Sequence, residues 1–407
     1  MSRRISSSDL KLGMYIQKLG GSWIKHPFWR SSFLLTDPED IKRIRQAGIK
    51  EVWIDEQKGA TLEENTTQPQ NTQSKPEIAQ AAENPPAKET TKEKSRPPAS
   101  MEAEIERARK FCSEAKTQVL AMYSDARLGK AINTTQVLPL VDEINAMVQR
   151  NSAAILSVAR LKTHDDYTYM HSVAVSALMI ALAHQLNLEE SQIRLAGIGG
   201  LMHDIGKALM PLDVLNKPGK LTDAEYDIMK QHPQAGAELL RLSGAESEVV
   251  DIALHHHEKI NGMGYPNRLQ NDDISLLARM GAICDVYDAV TSERAYKKPW
   301  DPAETIRRMA SWEGHFDKPI FEAFVKSVGI YPVGSLVRLS SQKLAVVIEP
   351  GSESLVKPKV RVFFSLRARA PIPMHTIDLA QASCRESIEG PEDPSQWNFK
   401  QLDDLWQ

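Results

Sequence analysis

From Met101 to about Gly329, apolar residues recur at three- and four-residue steps: Leu138, Val141, Ile144, Met147 and Val148 mark one stripe, and Ile155, Val158 and Ala159 continue it. This spacing puts them on one face of a helix, so a helical domain is expected over 101–331. After Tyr331-Pro332 the period drops to two. VGSLVRLS, LAVVIEP and VKPKVRVFFS read as short strands between turn signals. They predict a small β-rich appendage over 332–407, with a loosely ordered tail beyond Ser387. Residues 1–60 mix both periods. An alternating segment runs around Met14 to Leu19 and a loop carries Trp23. Asp37-Pro38-Glu39 opens a helix through Ile41 to Ala47, Gly48 stops it, and Ile49 to Ile54 (IKEVWI) reads as a strand. A small α+β N-terminal domain is expected, and the fold class of the whole chain is mainly α.

Two segments break the pattern in opposite directions. Thr61 to Ser100 holds six prolines, no aromatic residue, and Leu62 and Ile78 as its large aliphatics. Such a segment cannot bury enough apolar area to offset its conformational entropy, and 61–100 reads as a disordered linker. Met170 to Leu188, by contrast, lacks Lys, Arg, Asp and Glu over about the length of a membrane span. Its His171, Ser172, Ser176, His184 and Gln185 are costly in hydrocarbon, so a buried helix is expected and no membrane span. The basic N-terminus has no apolar run behind it, which gives no sign of export and makes the cytoplasm the expected location.

Composition narrows the chemistry. With 407 residues, two or three domains are expected, and 42% hydrophobic with 25% charged residues is ordinary for a globular chain. Lys and Arg number 50 against 53 Asp and Glu, so net charge supplies no general attraction to DNA or anionic lipid. Cys112, Cys284 and Cys384 lie far apart and form no CxxC, which excludes a thiolate zinc ribbon. Histidine is different. Nine of the eleven histidines fall between His164 and His315. The candidates are His171, the adjacent His203 and Asp204, His232, the run His255-His256-His257 followed by Glu258, and Asp285. Neutral imidazole and carboxylate suit iron, manganese or zinc. On a continuous helix His203 and Asp204 would diverge by about 100°, too far to chelate one ion comfortably but able to face a pair. His26, alone before Pro27, has no ligand spacing around it.

Taken in order, His203-Asp204-Ile205-Gly206-Lys207, His232-Pro233, His256-His257-Glu258 and Gly262-Met263-Gly264-Tyr265-Pro266 resemble an HD-GYP domain. This is the branch of the metal-dependent HD phosphohydrolase superfamily that degrades the bacterial messenger cyclic di-GMP. The similarity continues through Asp285-Val286-Tyr287-Asp288-Ala289-Val290-Thr291-Ser292 and Arg294-Ala295-Tyr296-Lys297-Lys298-Pro299. Residues 1–60 resemble the small domain that often precedes such units, through Gly13-Met14-Tyr15, Trp23, His26-Pro27-Phe28 and Ile54-Asp55. The resemblance implies that His171, His203, Asp204, His232, His256, His257 and Asp285 are metal ligands, with Asp204 bridging. His255 is an extra histidine outside that set. Members with a third metal carry a glutamate one turn before the first histidine. Tyr167 stands there in this chain, and Asp165 and Asp166 lie off that face, so a two-metal site is implied.

Two ions about 3.5 to 4 Å apart can hold a bridging hydroxide and stabilise an in-line displacement at phosphorus. The expected reaction is therefore hydrolysis of cyclic di-GMP to pGpG and/or GMP, with two divalent ions, iron or manganese. Asp204 and Lys207 are the catalytic candidates, Lys207 neutralising a phosphate oxygen. Lys207, Tyr265, Asp288, Arg294 and Lys297 are the substrate-binding candidates. Tyr265 would form a wall of the pocket, Arg294 and Lys297 would recognise phosphate or guanine, and Asp288 would orient a ligand or a basic residue. The partners expected are cyclic di-GMP, a diguanylate cyclase or other signalling proteins, and a second copy in a homodimer. The alternatives are a receptor or protein-interaction module that binds without turnover, and a hydrolase for another nucleotide.

Overall fold

The computed structural model describes residues 2–20, 33–46, 48–60, 100–160, 167–292, 299–351, 354–397, 399 and 402–406. Trp23, His26, the segment 61–99, Asp165, Asp166, Arg294 and Lys297 lie outside the described residues. The chain divides into two units, Met1–Ala99 and Ser100–Gln407.

In the first unit β1 (Ser2–Ser6), β2 (Tyr15–Leu19), β3 (Phe33–Leu34) and β4 (Glu51–Asp55) form an antiparallel sheet in the order β1-β4-β2-β3. Helix α1 (Pro38–Gln46) ends before Gly48, whose φ of +70° suits glycine. Met14, Ile16, Leu19, Leu35, Ile44, Val52 and Ile54 make its core. Strand β1 went unread in the pattern because it is polar except at Ile5. Its place is secured by pairing with β4 and by Arg45, which donates to the carbonyls of Ser7 and Ser8 at 3.2 and 3.0 Å.

The second unit opens on Ser100, which composition groups with the linker. Its side chain caps α2 (Met101–Arg127), accepting from the Ala103 amide at 3.3 Å. Helix α3 (Leu138–Arg160) is kinked where Asn151 turns extended. The uncharged stretch forms α4 (Tyr167–Gln185), against which α3, α5 (Glu190–Met202), α10 (Leu276–Thr291) and α12 (Lys318–Val328) pack. Val173, Val175, Ala177, Ile180 and Leu182 are fully buried there, since a helix covered on all sides needs no polar face. No helix among the described residues is long and apolar enough to cross a membrane. Short helices α6 (Leu212–Leu215), α7 (Asp223–Met229), α8 (His232–Leu242), α9 (Ser247–His255) and α11 (Pro302–Ala310) complete the helical part.

Five antiparallel strands follow in the order β8-β7-β6-β5-β9: β5 (Leu336–Leu339), β6 (Lys343–Glu349), β7 (Lys359–Ser365), β8 (Ala370–Asp378) and β9 (Ile388–Pro391). The expectation of a loose tail beyond Ser387 is corrected here. Strand β9 closes one edge of the sheet, Glu392 is bound by Arg338, and Trp406 is 3% exposed beneath the Arg160 guanidinium. Isolated aromatic residues carry no period, so an anchor made by contacts distant in sequence leaves no local signal.

Candidate metal centre

Seven side chains from five helices and the turn after α5 converge in the helical unit. His171 lies in the first half of α4 and Asp285 in the second half of α10. His203 caps the C-terminal end of α5, His232 opens α8 with Pro233 behind it, and His256 caps α9 with His257 next in the chain. Close backbone approach brings these ends together. A Cβ on Gly206 would stand 2.0 Å from the His232 carbonyl oxygen and 2.5 Å from the Gly236 nitrogen, so only glycine lets the turn carrying Asp204 press onto α8. Gly264 does the same for the following loop, where a Cβ would lie 2.4 Å from the Lys259 nitrogen.

The donor atoms form two groups, each within 4.8 Å: His171, His203, Asp204 and Asp285 in one, and His232, His256 and His257 in the other. Asp204 reaches both. Its Oδ2 lies 3.3 Å from Nε2 of His171 and of His203, and its Oδ1 lies 3.2 Å from His232 Nε2 and 3.8 Å from His256 Nε2. Asp285 spans them more loosely, 3.1 Å from His171 Nε2 and 3.8 Å from His257 Nδ1. His203 and Asp204 therefore do not diverge as they would on a continuous helix: both belong to one group, and Asp204 alone also faces the other. Helix α5 ends at Met202, and Asp204 (φ −98°, ψ 8°) has left α geometry, which swings its carboxylate back toward the His203 ring.

The residues around this cluster fix the tautomers. Nδ1 of His171 donates to Asp288 (2.6 Å), that of His203 to the Gly200 carbonyl (2.8 Å), that of His232 to Met229 (2.7 Å) and that of His256 to Ala253 (3.0 Å). In the neutral ring each Nε2 is thereby left with a lone pair facing inward, available to a cation or a proton. Nε2 of His232 and His256 converge to 3.4 Å, which two lone pairs tolerate only with a cation or proton between them. His203 Nε2 and Asp204 Oδ1 are buried without a hydrogen bond among the described residues. Orphaned donors of this kind, all imidazole and carboxylate, fit divalent cations.

Electrostatics carries the same mark. Burial would raise the Asp204 carboxyl, but the Lys207 ammonium and the His203 and His171 imidazoles hold it well below the usual range. Asp285 is held down likewise against burial by hydrogen bonds to His171 and His203. In return, and against burial, Asp204 and Asp285 push His203 up to about 10. In the other group, burial and neighbouring imidazoles push His256 well down and His257 to about 3. In the metal-free fold a proton thus stands in for a cation at His203, among the carboxylates, while His256 and His257 resist protonation.

Around the cluster, Lys207 is ion-paired with Asp204 and Tyr265 stands against His257, ring centroids 4.7 Å apart. Asp288 meets the ligand-orienting half of its expected role, since it accepts from His171 Nδ1, and the substrate-binding half is corrected: at 3% exposed it sits behind the His171 ring, away from where substrate would lie. Its position one helical turn beyond Asp285 was the available signal. His255 is used elsewhere, between Asp251 and Asn267. Glu258, without a role in the sequence reading, is buried and accepts the Asn267 and Leu269 amides at 2.6 and 3.2 Å, bracing the loop that carries Tyr265. Tyr167 begins α4, but its side chain is outside the described set, as are Arg294 and Lys297.

A helical unit with a His-Asp pair at the centre of an imidazole and carboxylate cluster defines an HD-type metal-dependent phosphohydrolase. Residues 140–320 match the family described as HD domain, and residues 2–137 match a domain of unknown function, DUF3391. The chain is similar to the cyclic di-GMP phosphodiesterase PA4108 of Pseudomonas aeruginosa, at 52% identity over 408 residues, covering 100% of this chain and 96% of that protein. It is also similar to a Vibrio cholerae cyclic di-GMP phosphodiesterase, at 35% identity covering 54% of this chain and 49% of that protein. A third relative, the V. cholerae 3'3'-cGAMP-specific phosphodiesterase 2, is 38% identical over 46% of this chain and 37% of its own length. The chain belongs to the HD-GYP family of HD-domain proteins, with a DUF3391 domain at its N-terminal end.

Proposed function

We infer that this protein is a metal-dependent phosphodiesterase that hydrolyses cyclic di-GMP. The observation that carries the reading is Asp204, whose two carboxylate oxygens face two separate donor groups. The full-length similarity to a cyclic di-GMP phosphodiesterase supports the substrate. His171, His203, Asp204 and Asp285 would hold one divalent ion and His232, His256 and His257 the other, iron or manganese. Bound there, such ions activate water and stabilise charge developing on a phosphoryl oxygen. Asp204 orients both donor groups, and Asp288 keeps the His171 lone pair aimed inward. Lys207 lies beside the cluster, 27% exposed, where its ammonium can meet a phosphate oxygen. Tyr265 walls the cluster on the His257 side. The products would be pGpG, GMP or both.

We assign the chain to four segments: an N-terminal domain over 1–60, a linker over 61–99, the catalytic domain over 100–331, which takes in the Ser100 cap, and the β-rich appendage over 332–407. A cytoplasmic location fits an intracellular messenger as substrate. The test is turnover of cyclic di-GMP by protein loaded anaerobically with Fe(II) or Mn(II), with products separated and 3'3'-cGAMP run alongside. Hydrolysis that is abolished in Asp204→Ala supports the assignment. Tight binding with no turnover under either metal makes the protein a receptor instead.

A further inference from the structure

Asp288, which holds His171 from behind, also lines a cleft of about 60 Å³ that the hydrolytic chemistry does not use. The second half of α3 runs along it. After the kink at Asn151, Ser152, Leu156 and Arg160 recur at four-residue steps and share the face that lines the cleft. Leu178 of α4, Val328 of α12 and Val333 add apolar wall. At roughly 10–15 Å³ per water, the cleft has room for about four to six waters, or for a molecule of about six non-hydrogen atoms.

Three polar side chains line this cleft without a partner among the described residues: the Arg160 guanidinium, the Tyr287 hydroxyl and the Ser152 hydroxyl. Tyr287 is 6% exposed, so its hydroxyl depends on what occupies the cleft for a hydrogen bond. Arg160 is held in position. Its guanidinium stands over the Trp406 ring, 5.6 Å from the centroid, and Gly334, at a φ of +86°, leaves room for it, since a Cβ there would come within 2.1 Å of Nη2. The Asp301 carboxyl, near enough to feel its charge, is taken up by the Ala303 and Glu304 amides. A placed cation without an ion-pair partner, beside a hydroxyl donor and an aliphatic wall, matches a carboxylate on a short alkyl chain. The guanidinium would take the carboxylate in its fork, Tyr287 would donate a further hydrogen bond, and the chain would lie on Leu156 and Leu178. A phosphate, with no apolar part, would leave that wall bare.

We propose that this cleft is a binding site for a short aliphatic monocarboxylate, separate from the metal centre and backed against the carboxylate that orients His171. The site does not depend on what the metal centre hydrolyses.

The experiment is titration calorimetry of metal-loaded protein with acetate, butyrate and inorganic phosphate, on wild type, Arg160→Gln, Tyr287→Phe, Ala153→Leu and Asp204→Ala. Butyrate should bind in the micromolar to millimolar range that so small a ligand allows. It should bind roughly fifteenfold more tightly than acetate, since each buried methylene adds about fourfold. Arg160→Gln should weaken it at least about tenfold and Tyr287→Phe roughly three- to tenfold. Ala153→Leu, which fills the cleft from the first turn after the kink, should abolish binding. Asp204→Ala, which disturbs the metal centre, should bind butyrate as wild type does. Absence of butyrate binding to wild type overturns the proposal. Butyrate no tighter than acetate, or phosphate as tight as butyrate, overturns the class of ligand. Binding that vanishes in Asp204→Ala, or survives both Arg160→Gln and Ala153→Leu, overturns the site. The comparison of the three ligands needs wild type alone, so a variant that fails to fold leaves the proposal open to refutation.

Discussion

Asp204 is the residue on which the two donor groups depend, because each of its oxygens serves one of them. Asp204→Ala is expected to lose hydrolysis altogether and to lower metal content, measured by elemental analysis of anaerobically purified protein. Asp288 acts one step back. Asp288→Ala frees the His171 ring to turn and leaves its Nδ1 without that acceptor, so metal affinity should fall about 10- to 100-fold, with activity largely restored by excess metal. Activity unresponsive to added metal would show Asp288 to act by another route. Cys284 gives the contrast. It is fully buried beside Asp285, and burial with the neighbouring carboxylates pushes its thiol well up, so it is neutral and no ligand. Cys284→Ser should keep activity.

At the scale of elements, the site joins helix ends to two helix faces, those carrying His171 and Asp285. His203, His232 and His256 sit at termini, and the contact between Gly206 and Gly236 sets how closely two of those termini approach. Gly206→Ala places a methyl group against backbone that cannot yield as a flexible side chain would. It should cost ~1–3 kcal/mol by denaturant unfolding and impair metal uptake by pushing His232 away from Asp204. A variant with unchanged midpoint and metal content would show that the turn and α8 separate without penalty.

For the whole molecule, metal and protons compete for one set of atoms, and the sign of the pH dependence follows. His203 in the metal-free fold titrates near 10, above the ordinary imidazole value of 6.5. Its protonation therefore stabilises the metal-free fold fully below about 6.5, and that contribution is lost as pH rises toward 10. Chelator-treated protein should lose melting temperature between pH 7 and 10, whereas metal-loaded protein, with cations in place of those protons, should not follow it. Apparent metal affinity should rise over the same range by up to roughly tenfold per pH unit for each proton displaced. Each unit also has its own apolar interior, Met14, Ile16 and Ile54 in one and the buried α4 in the other. A fragment beginning at Ser100 is accordingly expected to fold, bind metal and retain phosphodiesterase activity. An insoluble fragment would mean that the N-terminal domain completes the catalytic one.

By itself the sequence determined what short-range chemistry can encode. A 3.6-residue period specifies helices 101–329 because each face must be buried or wet, and the apolar run of α4 marks a buried helix because its polar residues exclude lipid. Spaced histidines and aspartates, met in a known order, pointed to a metal-dependent phosphodiesterase. Tertiary structure alone decided the rest. Strands β1, β8 and β9 lie at sheet edges, where half-exposed or polar residues carry little alternation, and Trp406 is anchored by partners far away in the chain. The sharing of one group by His203 and Asp204 depended on where α5 stops, which a helical wheel cannot know. Which ring Asp288 orients, that of His171 from another helix, depended on helices brought together by packing, and contacts between distant segments leave no period to read.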